Sequence, residues 1–179
     1  MNASCAGIGF HSNSLISCDA DANVYEWDIV GGRCRFKFKD NHSVHISSFA
    51  LSHPFGENVR NAFLANGSTS GFLNVYPMFS QKDDQSHLVQ NELVKSFGNL
   101  STEVTSIATD STGNFIVYSS VHKRNALRIV YTPSFKVIAN WPTDKINLGR
   151  VTSLSFCSQQ NTLAIGNKRG KIQFYKIIA

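Results

Sequence analysis

The chain repeats one short pattern four times, and this repetition constrains its fold more than any other feature. Residues 63–76 (FLANGSTSGFLNVY) align without a gap on residues 162–175 (TLAIGNKRGKIQFY), at an offset of 99 positions. Leucine, alanine, two glycines and a tyrosine coincide between the two copies. Residues 15–27 and 115–131 follow the same frame, and the second of these has a longer turn. The chain therefore consists of duplicated modules.

Each module predicts up to four short strands. Apolar and polar residues alternate with period two, which is typical of a strand with one buried face. A further strand precedes each copy, because residues 104–114 and 151–161 both begin Val-Thr-Ser and end in Asn. Another strand is predicted after the copies, in RCRFKFK (33–39), LVKSF (93–97) and KVIANW (136–141). The segment LVKSF also suits a short helix, and the repeat frame favours a strand.

Repeated four-strand units are the signature of a β-propeller. We predict an all-β chain forming a single partial propeller over residues 1–179, about half a ring of roughly four blades, each with up to four antiparallel strands. The predicted repeat units are approximately 5–41, 44–100, 103–148 and 150–179, and the last stops after its third strand. The second unit is long, and the polar stretch 77–90 is predicted to be an insertion.

The composition favours a folded intracellular protein over a membrane protein or a zinc-binding protein. Hydrophobic residues make up 42% of the 179-residue chain, which is typical of a folded domain. The sequence contains no apolar run near the roughly 18 residues that span a bilayer, so we expect no membrane association. The four cysteines form no C-x-x-C pair and the first ten residues do not resemble a signal peptide. We therefore expect reduced thiols in an intracellular protein rather than a zinc site.

The net charge of +5 is unevenly distributed. Residues 1–89 carry six Lys and Arg against eight Asp and Glu, whereas residues 90–179 carry eleven against four. This asymmetry indicates a basic surface that could contact nucleic acid or an acidic partner. The alternative is a solvated basic rim without a ligand.

The segment GNKRG (166–170) allows two interpretations, a phosphate-binding loop or a hairpin turn. A phosphate loop requires the pattern G-x-x-x-x-G-K-[ST] and a following helix whose N-terminus faces the anion. Neither is present. Gly170 instead permits a positive φ directly before the next strand, so the segment is predicted to be a hairpin turn.

We find no constellation that predicts catalysis. The six histidines form no paired-ligand spacing, and the sequence has no G-x-S-x-G elbow. Asp19 and Asp21 occupy a predicted turn, where their residue type is favoured for its local hydrogen bonds. We predict no enzymatic activity, no metal or other cofactor and no small-molecule substrate.

Two equivalent hairpins concentrate the basic residues. The candidate contacts for RNA or an acidic partner are Lys123, Arg124, Lys168, Arg169 and Lys171. Equivalent turns of a propeller emerge on one face, so we expect both clusters to lie side by side and to suit a phosphate backbone. The basic residues of RCRFKFK are also ambiguous. They could contact nucleic acid, but protection of an exposed sheet edge is the favoured interpretation.

The repeats carry a family resemblance. The stretch Val24-Tyr25-Glu26-Trp27-Asp28 resembles the Trp-Asp ending of WD repeats. A more specific resemblance is to the U3 small nucleolar RNA-associated protein 18 family, and it extends from about residue 5 to residue 178. It is carried by Ala126, Arg128 and Val130 of an A-x-R-x-V strand, the Pro133-Ser134 turn, the end Asn140-Trp141-Pro142, and the hairpin from Ala164 to Lys171.

This resemblance implies a seven-bladed propeller in the UtpB assembly of the small-subunit processome, in the nucleolus of the nucleus. The implied role is scaffolding during processing of the 18S ribosomal RNA precursor. The implied partners are other processome proteins and, through a basic face, the precursor or U3 small nucleolar RNA. The alternative is a WD-repeat interaction module of another pathway.

The resemblance also implies that the chain corresponds to the C-terminal part of the family's propeller, either as a fragment or as a truncated gene model. An open half-propeller leaves sheet edges and apolar faces uncovered. We therefore expect residues 1–179 alone to be poorly soluble or to self-associate.

Overall fold

The structure is a computed structural model that describes residues 1, 3–11, 13–52, 62–78, 92–157, 159 and 161–177. The described residues form four antiparallel sheets and contain no helix. The predicted all-β class is confirmed. The predicted insertion at 77–90 lies outside the described residues from position 79 onward.

Each sheet is a meander in which consecutive strands pair in chain order, and we call the four sheets blades 1 to 4. Blade 1 contains β1 (Cys5–His11), β2 (Ser14–Asp19), β3 (Asn23–Asp28) and β4 (Arg33–Lys39). Blade 2 contains β5 (Ile46–Leu51), β6 (Phe63–Ser68), β7 (Leu73–Pro77) and β8 (Lys95–Phe97). Blade 3 contains β9 (Ser106–Thr109), β10 (Phe115–Ser119), β11 (Leu127–Tyr131) and β12 (Lys136–Val137). Blade 4 contains β13 (Val151–Cys157), β14 (Thr162–Asn167) and β15 (Ile172–Lys176).

The first strand of each blade lies at a common centre. Strand β1 contacts β5, β5 contacts β9, and β9 contacts β13. Later strands of each blade therefore lie progressively farther from this centre, which is the arrangement of propeller blades around a hub.

Three apolar clusters fill the spaces between consecutive blades. Ile16 and Val24 of blade 1 pack with Leu64 and Tyr76 of blade 2, and all four side chains are buried. Equivalent clusters join blade 2 to blade 3 and blade 3 to blade 4. Because strand side chains alternate between two faces, a blade between two others buries apolar residues on both faces.

The outer strands differ in part from the sequence-based expectation. LVKSF contains strand β8, as the repeat frame favours, although only Lys95–Phe97 are in the strand. In KVIANW only Lys136–Val137 are in a strand. The chain then turns inward, and Trp141 packs edge-on against Tyr175 with ring centroids 5.0 Å apart.

Strict alternation along RCRFKFK predicts that Cys34, Phe36 and Phe38 share one face, and this prediction is wrong. Phe36 is opposite Glu26, but Cys34 is opposite Trp27, because a β-bulge interrupts the register at this point. The extra residue of a bulge shifts every side chain beyond it to the other face. Cys34 therefore lies on the face opposite to that of Phe36 and Phe38.

A buried carboxylate joins blade 1 to blade 2. Asp40 follows β4 and is fully buried. It accepts hydrogen bonds from the Tyr76 hydroxyl at 2.6 Å and from the Nδ2 atoms of Asn66 and Asn74 at 3.2 Å. Burial, together with this hydrogen bond to Asp40, raises the pKa of Tyr76 above its ordinary value. The phenol therefore remains a neutral donor at physiological pH.

Asp19 has a similar role within blade 1. It accepts hydrogen bonds from the Tyr25 hydroxyl at 2.8 Å and from the Asn23 backbone N–H at 2.9 Å. Burial alone would raise the pKa of Asp19, but these hydrogen bonds outweigh burial and lower it. Asp19 is thus a charged acceptor that holds the β2–β3 turn.

We predict that Asp40→Ala lowers the free energy of unfolding by roughly 3–5 kcal/mol, because it leaves three buried donors without their acceptor. Urea denaturation followed by intrinsic fluorescence measures this loss. The matched control is Asp144→Ala, at an exposed position, which should change the free energy of unfolding by no more than about 0.5 kcal/mol. Equal effects of the two substitutions would contradict the assigned role of Asp40.

Candidate nucleic-acid interface

The predicted basic residues lie in two turns of the same kind. Lys123 and Arg124 are exposed in the turn between β10 and β11, and Lys168 and Arg169 are exposed in the turn between β14 and β15. Lys171, also exposed, directly precedes β15. All five candidate residues thus present their charges to solvent.

A connecting segment, residues 148–150, holds the two turns together. On one side, Asn125 Oδ1 accepts the backbone N–H groups of Leu148 and Gly149 at 3.0 and 3.1 Å, and Asn125 N–H donates to the Gly149 carbonyl at 2.7 Å. On the other side, Asn167 Nδ2 donates to the Leu148 carbonyl at 3.0 Å. The two turns are therefore neighbours, as expected from equivalent positions in adjacent blades.

Arg150 adds a basic residue that sequence reasoning missed. Its carbonyl accepts the Lys168 N–H at 2.9 Å, and its side chain is exposed between the two turns. The sequence does contain a signal for this position, because Arg150 directly precedes one Val-Thr-Ser segment and Glu103 directly precedes the other. Glu103 lies beside the β10–β11 turn of blade 3, since its Oε2 is 3.0 Å from His122 Nε2, and Arg150 has the equivalent place beside the β14–β15 turn of blade 4.

We call the six exposed basic residues Lys123, Arg124, Arg150, Lys168, Arg169 and Lys171 the basic surface. Among the residues that the structure describes, the ion pairs are His45–Asp21 and His122–Glu103. None of the six basic residues takes part in an ion pair in this part of the chain. Their charges are therefore available to an anionic partner, and the Glu103–His122 pair bounds the surface on the side of blade 2.

The structure confirms that GNKRG is a hairpin turn. Strands β14 and β15 pair antiparallel on either side of it, and Gly170 has φ of +73°. Asn167 holds the turn, because its Oδ1 accepts the N–H groups of Arg169 and Lys171 and its carbonyl accepts that of Gly170. These N–H groups already have acceptors and cannot surround a phosphate. Any anion would be bound by side chains.

The basic residues of β4 lie elsewhere and contact their own blade. Strand β4 is the outer edge of blade 1. Lys37 Nζ lies 5.2 Å from the centroid of the Tyr25 ring, and the Arg35 guanidinium lies 5.9 Å from that of Phe36. Packing of cations along an outer strand agrees with protection of a sheet edge.

Three observations on the described residues concern metal binding, thiol reactivity and membrane spanning. They contain no group of three or more His, Cys, Asp or Glu that could hold a metal. Burial, with smaller contributions from Cys5 and Asp19, raises the pKa of Cys18 to about 12, so this thiol is not a nucleophile at neutral pH. No helix long and apolar enough to span a membrane occurs in the described part of the chain.

Two clefts between blades are apolar. One of about 260 Å³ lies between blades 2 and 3 and is lined by residues that include Phe63, Val75 and Phe135. The other, of about 190 Å³, lies between blades 3 and 4, and the ionisable residues among its described lining are Tyr175 and Lys176. Among the described lining residues, neither cleft combines an acid, a base and a nucleophile.

Comparison with curated proteins supports the family resemblance. The chain is 29% identical over 176 residues to U3 small nucleolar RNA-associated protein 18 of Saccharomyces cerevisiae, and the match covers 91% of the chain and 28% of that protein. It is 28% identical over 180 residues to the human homolog, covering 99% of the chain and 31% of that protein. A probable homologue in Schizosaccharomyces pombe is 32% identical over 117 residues, or 65% of the chain and 22% of that protein. The resemblance seen in the motifs is confirmed, and the chain spans less than a third of the length of these relatives.

Solved structures confirm the β-propeller fold. The β-propeller domain of Cps50 (Swd1) from Myceliophteria thermophila superposes with a TM-score of 0.75 at 14% identity, covering 97% of the chain and 54% of that domain. The computationally designed Ika4 protein superposes with a TM-score of 0.71 at 17% identity, covering 99% of the chain and 94% of that protein. No protein-family model matches the chain. The prediction of a partial propeller is thus correct.

We predict that Asn167→Ala lowers the free energy of unfolding by about 1–2 kcal/mol, because two turn N–H groups and the Leu148 carbonyl lose their partner. Urea denaturation monitored by circular dichroism measures the change. The control is Asn147→Ala, at an exposed position in the same connection, which should be neutral within about 0.5 kcal/mol. A neutral Asn167→Ala would show that the turn does not depend on this side chain.

Proposed function

We propose that this chain is a non-catalytic scaffold in ribosome biogenesis that acts with the U3 small nucleolar ribonucleoprotein in processing of the small-subunit ribosomal RNA precursor. One observation carries the proposal. Sequence similarity to proteins named U3 small nucleolar RNA-associated protein 18, from yeast and human, extends over more than nine-tenths of the chain. On this proposal the chain works in the nucleolus, beside other proteins of the UtpB assembly.

The propeller architecture is compatible with scaffolding. Blades packed around a hub hold their turns at defined positions, so a turn can present side chains to a partner without moving. The described residues offer exposed charge and apolar surface rather than a catalytic constellation. Both kinds of surface suit binding.

The basic surface is the part of the chain that we propose contacts RNA. Six exposed cations on two turns and on the segment that links them can contact several phosphates of one strand, and such contacts give affinity without sequence specificity. The hydrogen bonds of both turns to residues 148–150 support this, because they set the relative positions of the backbone segments that carry the cations.

The scaffold function is tested by affinity purification of the tagged chain from cells, followed by mass spectrometry and quantification of U3 RNA. We expect UtpB proteins and U3 RNA to be enriched over a tagged Asp40→Ala control that disturbs the blade 1–blade 2 junction. The alternative, an interaction module of another pathway, predicts a reproducible set of other partners with U3 RNA at background. That second result would refute the proposed function.

The RNA contact is tested by fluorescence anisotropy with a single-stranded RNA at several salt concentrations. Replacement of Lys123, Arg124, Lys168 and Arg169 by Ser should weaken binding and reduce the slope of log K against log salt by up to about 3, because each lost phosphate contact contributes about 0.7. The control replaces Lys39, Lys95, Lys136 and Lys176, which are exposed on outer strands, and removes the same charge. Equal losses in both variants would indicate nonspecific attraction only.

A further inference from the structure

The four blades form an open arc, and the first and last blades of this arc expose apolar side chains at positions that are buried where two blades meet. Ile8 and Phe10 of β1 are 65% and 61% exposed, and Ile172 and Phe174 of β15 are 66% and 69% exposed. The first pair lies on blade 1 and the second on blade 4. We call these surfaces the blade 1 end face and the blade 4 end face. Exposed apolar patches of this kind mark interaction sites.

The blade 4 end face repeats a surface that is buried between blades 2 and 3. Ile172 is opposite Gly166 and Phe174 is opposite Ala164. In blade 2, Leu73 is opposite Gly67 and Val75 is opposite Ala65, in the same arrangement. Leu73 and Val75 are fully buried because blade 3 packs on them. Blades 2 and 4 thus present equivalent faces, and they differ in that blade 3 covers the face of blade 2.

The glycine in the second strand of a blade leaves space for a side chain of the next blade. A Cβ atom at Gly67 would lie 2.7 Å from Val104 Cγ1, so Val104 of blade 3 fills the space above this glycine. Next to it, Ser48 Oγ donates a hydrogen bond to the Val104 carbonyl at 2.7 Å. At Gly166 the three described atoms nearest to such a Cβ all belong to Ser153 of its own blade. Blade 4 therefore has the equivalent notch and the equivalent serine, without a counterpart of Val104 among the described residues.

The blade 1 end face is the complementary kind of surface. Strand registers make Ile8 equivalent to Phe49 and Phe10 equivalent to Leu51. Phe49 and Leu51 pack against the blade that precedes theirs. By the same registers Cys5 is equivalent to Ile46 and Val151, which are buried, whereas Cys5 is exposed.

Charge favours contact between these two end faces. Turns of adjacent blades lie side by side, as residues 148–150 show for blades 3 and 4. Contact of blade 4 with blade 1 would place Lys168 and Arg169 beside the turn that contains Asp21, whose side chain is 58% exposed. The most basic blade would then adjoin an acidic turn, and the two would attract each other.

We propose that a second copy of this chain covers both end faces, so that two four-blade arcs close into one ring. The blade 4 end face of each copy packs on the blade 1 end face of the other, and a two-fold axis along the hub relates the copies. Cys5 of one copy occupies the Gly166 notch of the other. Ser153 Oγ donates to the Cys5 carbonyl, as Ser48 does to Val104 within the chain. The proposal does not depend on the proposed function.

Sedimentation velocity over a roughly hundredfold range of protein concentration tests this pairing, because association follows mass action. We expect one species with the mass of two copies at high concentration. Ile8→Glu and Phe174→Glu should each raise the dissociation constant about 30-fold or more, as loss of a central apolar contact does. Val30→Glu, at a 94% exposed site in the β3–β4 turn, is the control and should leave pairing unchanged.

Mixing the two variants distinguishes specific pairing from general stickiness. Ile8→Glu leaves the blade 4 end face intact, and Phe174→Glu leaves the blade 1 end face intact. A mixed pair therefore has one native contact, whereas each variant alone has none. We expect the mixture to associate more tightly than either variant, and equal association of the three samples would overturn the proposal.

The alkylation rate of Cys5 provides a second measurement. The rate should fall as the wild-type chain pairs and should stay high in Phe174→Glu, and circular dichroism verifies that each variant is folded. A wild-type chain with the mass of one copy at every concentration, or one that forms a growing series of oligomers, would overturn the closed pair. The first of these outcomes would instead leave the end faces to blades of another polypeptide.

Discussion

The stability of each sheet in this molecule depends on how far its two faces are covered. The strands carry apolar residues on alternate sides, and the three clusters between blades bury them. A blade is therefore most stable between two neighbours, since an isolated small sheet buries too little apolar surface. Blades 2 and 3 meet this condition within the chain. Blades 1 and 4 each meet it on one face, and their other faces expose large apolar side chains.

Polar side chains fix how the covered sheets are aligned. Asp40 joins the end of blade 1 to three donors in blade 2, and Asn125 and Asn167 join the turns of blades 3 and 4 through residues 148–150. Apolar packing alone tolerates small displacements between blades, whereas these hydrogen bonds require particular positions. The arrangement of the basic surface follows from them, because its cations lie on the two turns that the asparagines hold and on the segment that links these turns.

The modular construction also explains why the chain can be aligned with relatives that are more than three times as long. The chain spans less than a third of its relatives, yet similarity to them extends over nearly all of it. Each module contains its own strands and turns, so its sequence pattern is complete within a few tens of residues. Residues that act between modules, such as Asp40 and Val104, are the exceptions, because they matter only when the next blade is present.

Local pattern was sufficient for much of this molecule. Period-two alternation predicted the strands, Gly170 predicted the hairpin, and the aligned copies predicted which turns share a face. These features depend on backbone preferences of a few neighbouring residues, which the sequence contains in full. Arg150 and the bulge in β4 were missed, since the first joins the basic surface only through a tertiary contact and the second depends on pairing with β3. Leu73 and Ile172 show the limit most clearly. They are similar residues in equivalent strands, but one is fully buried and the other is 66% exposed. Only the tertiary structure decides this difference, because burial is a property of the neighbouring blade and not of the residue.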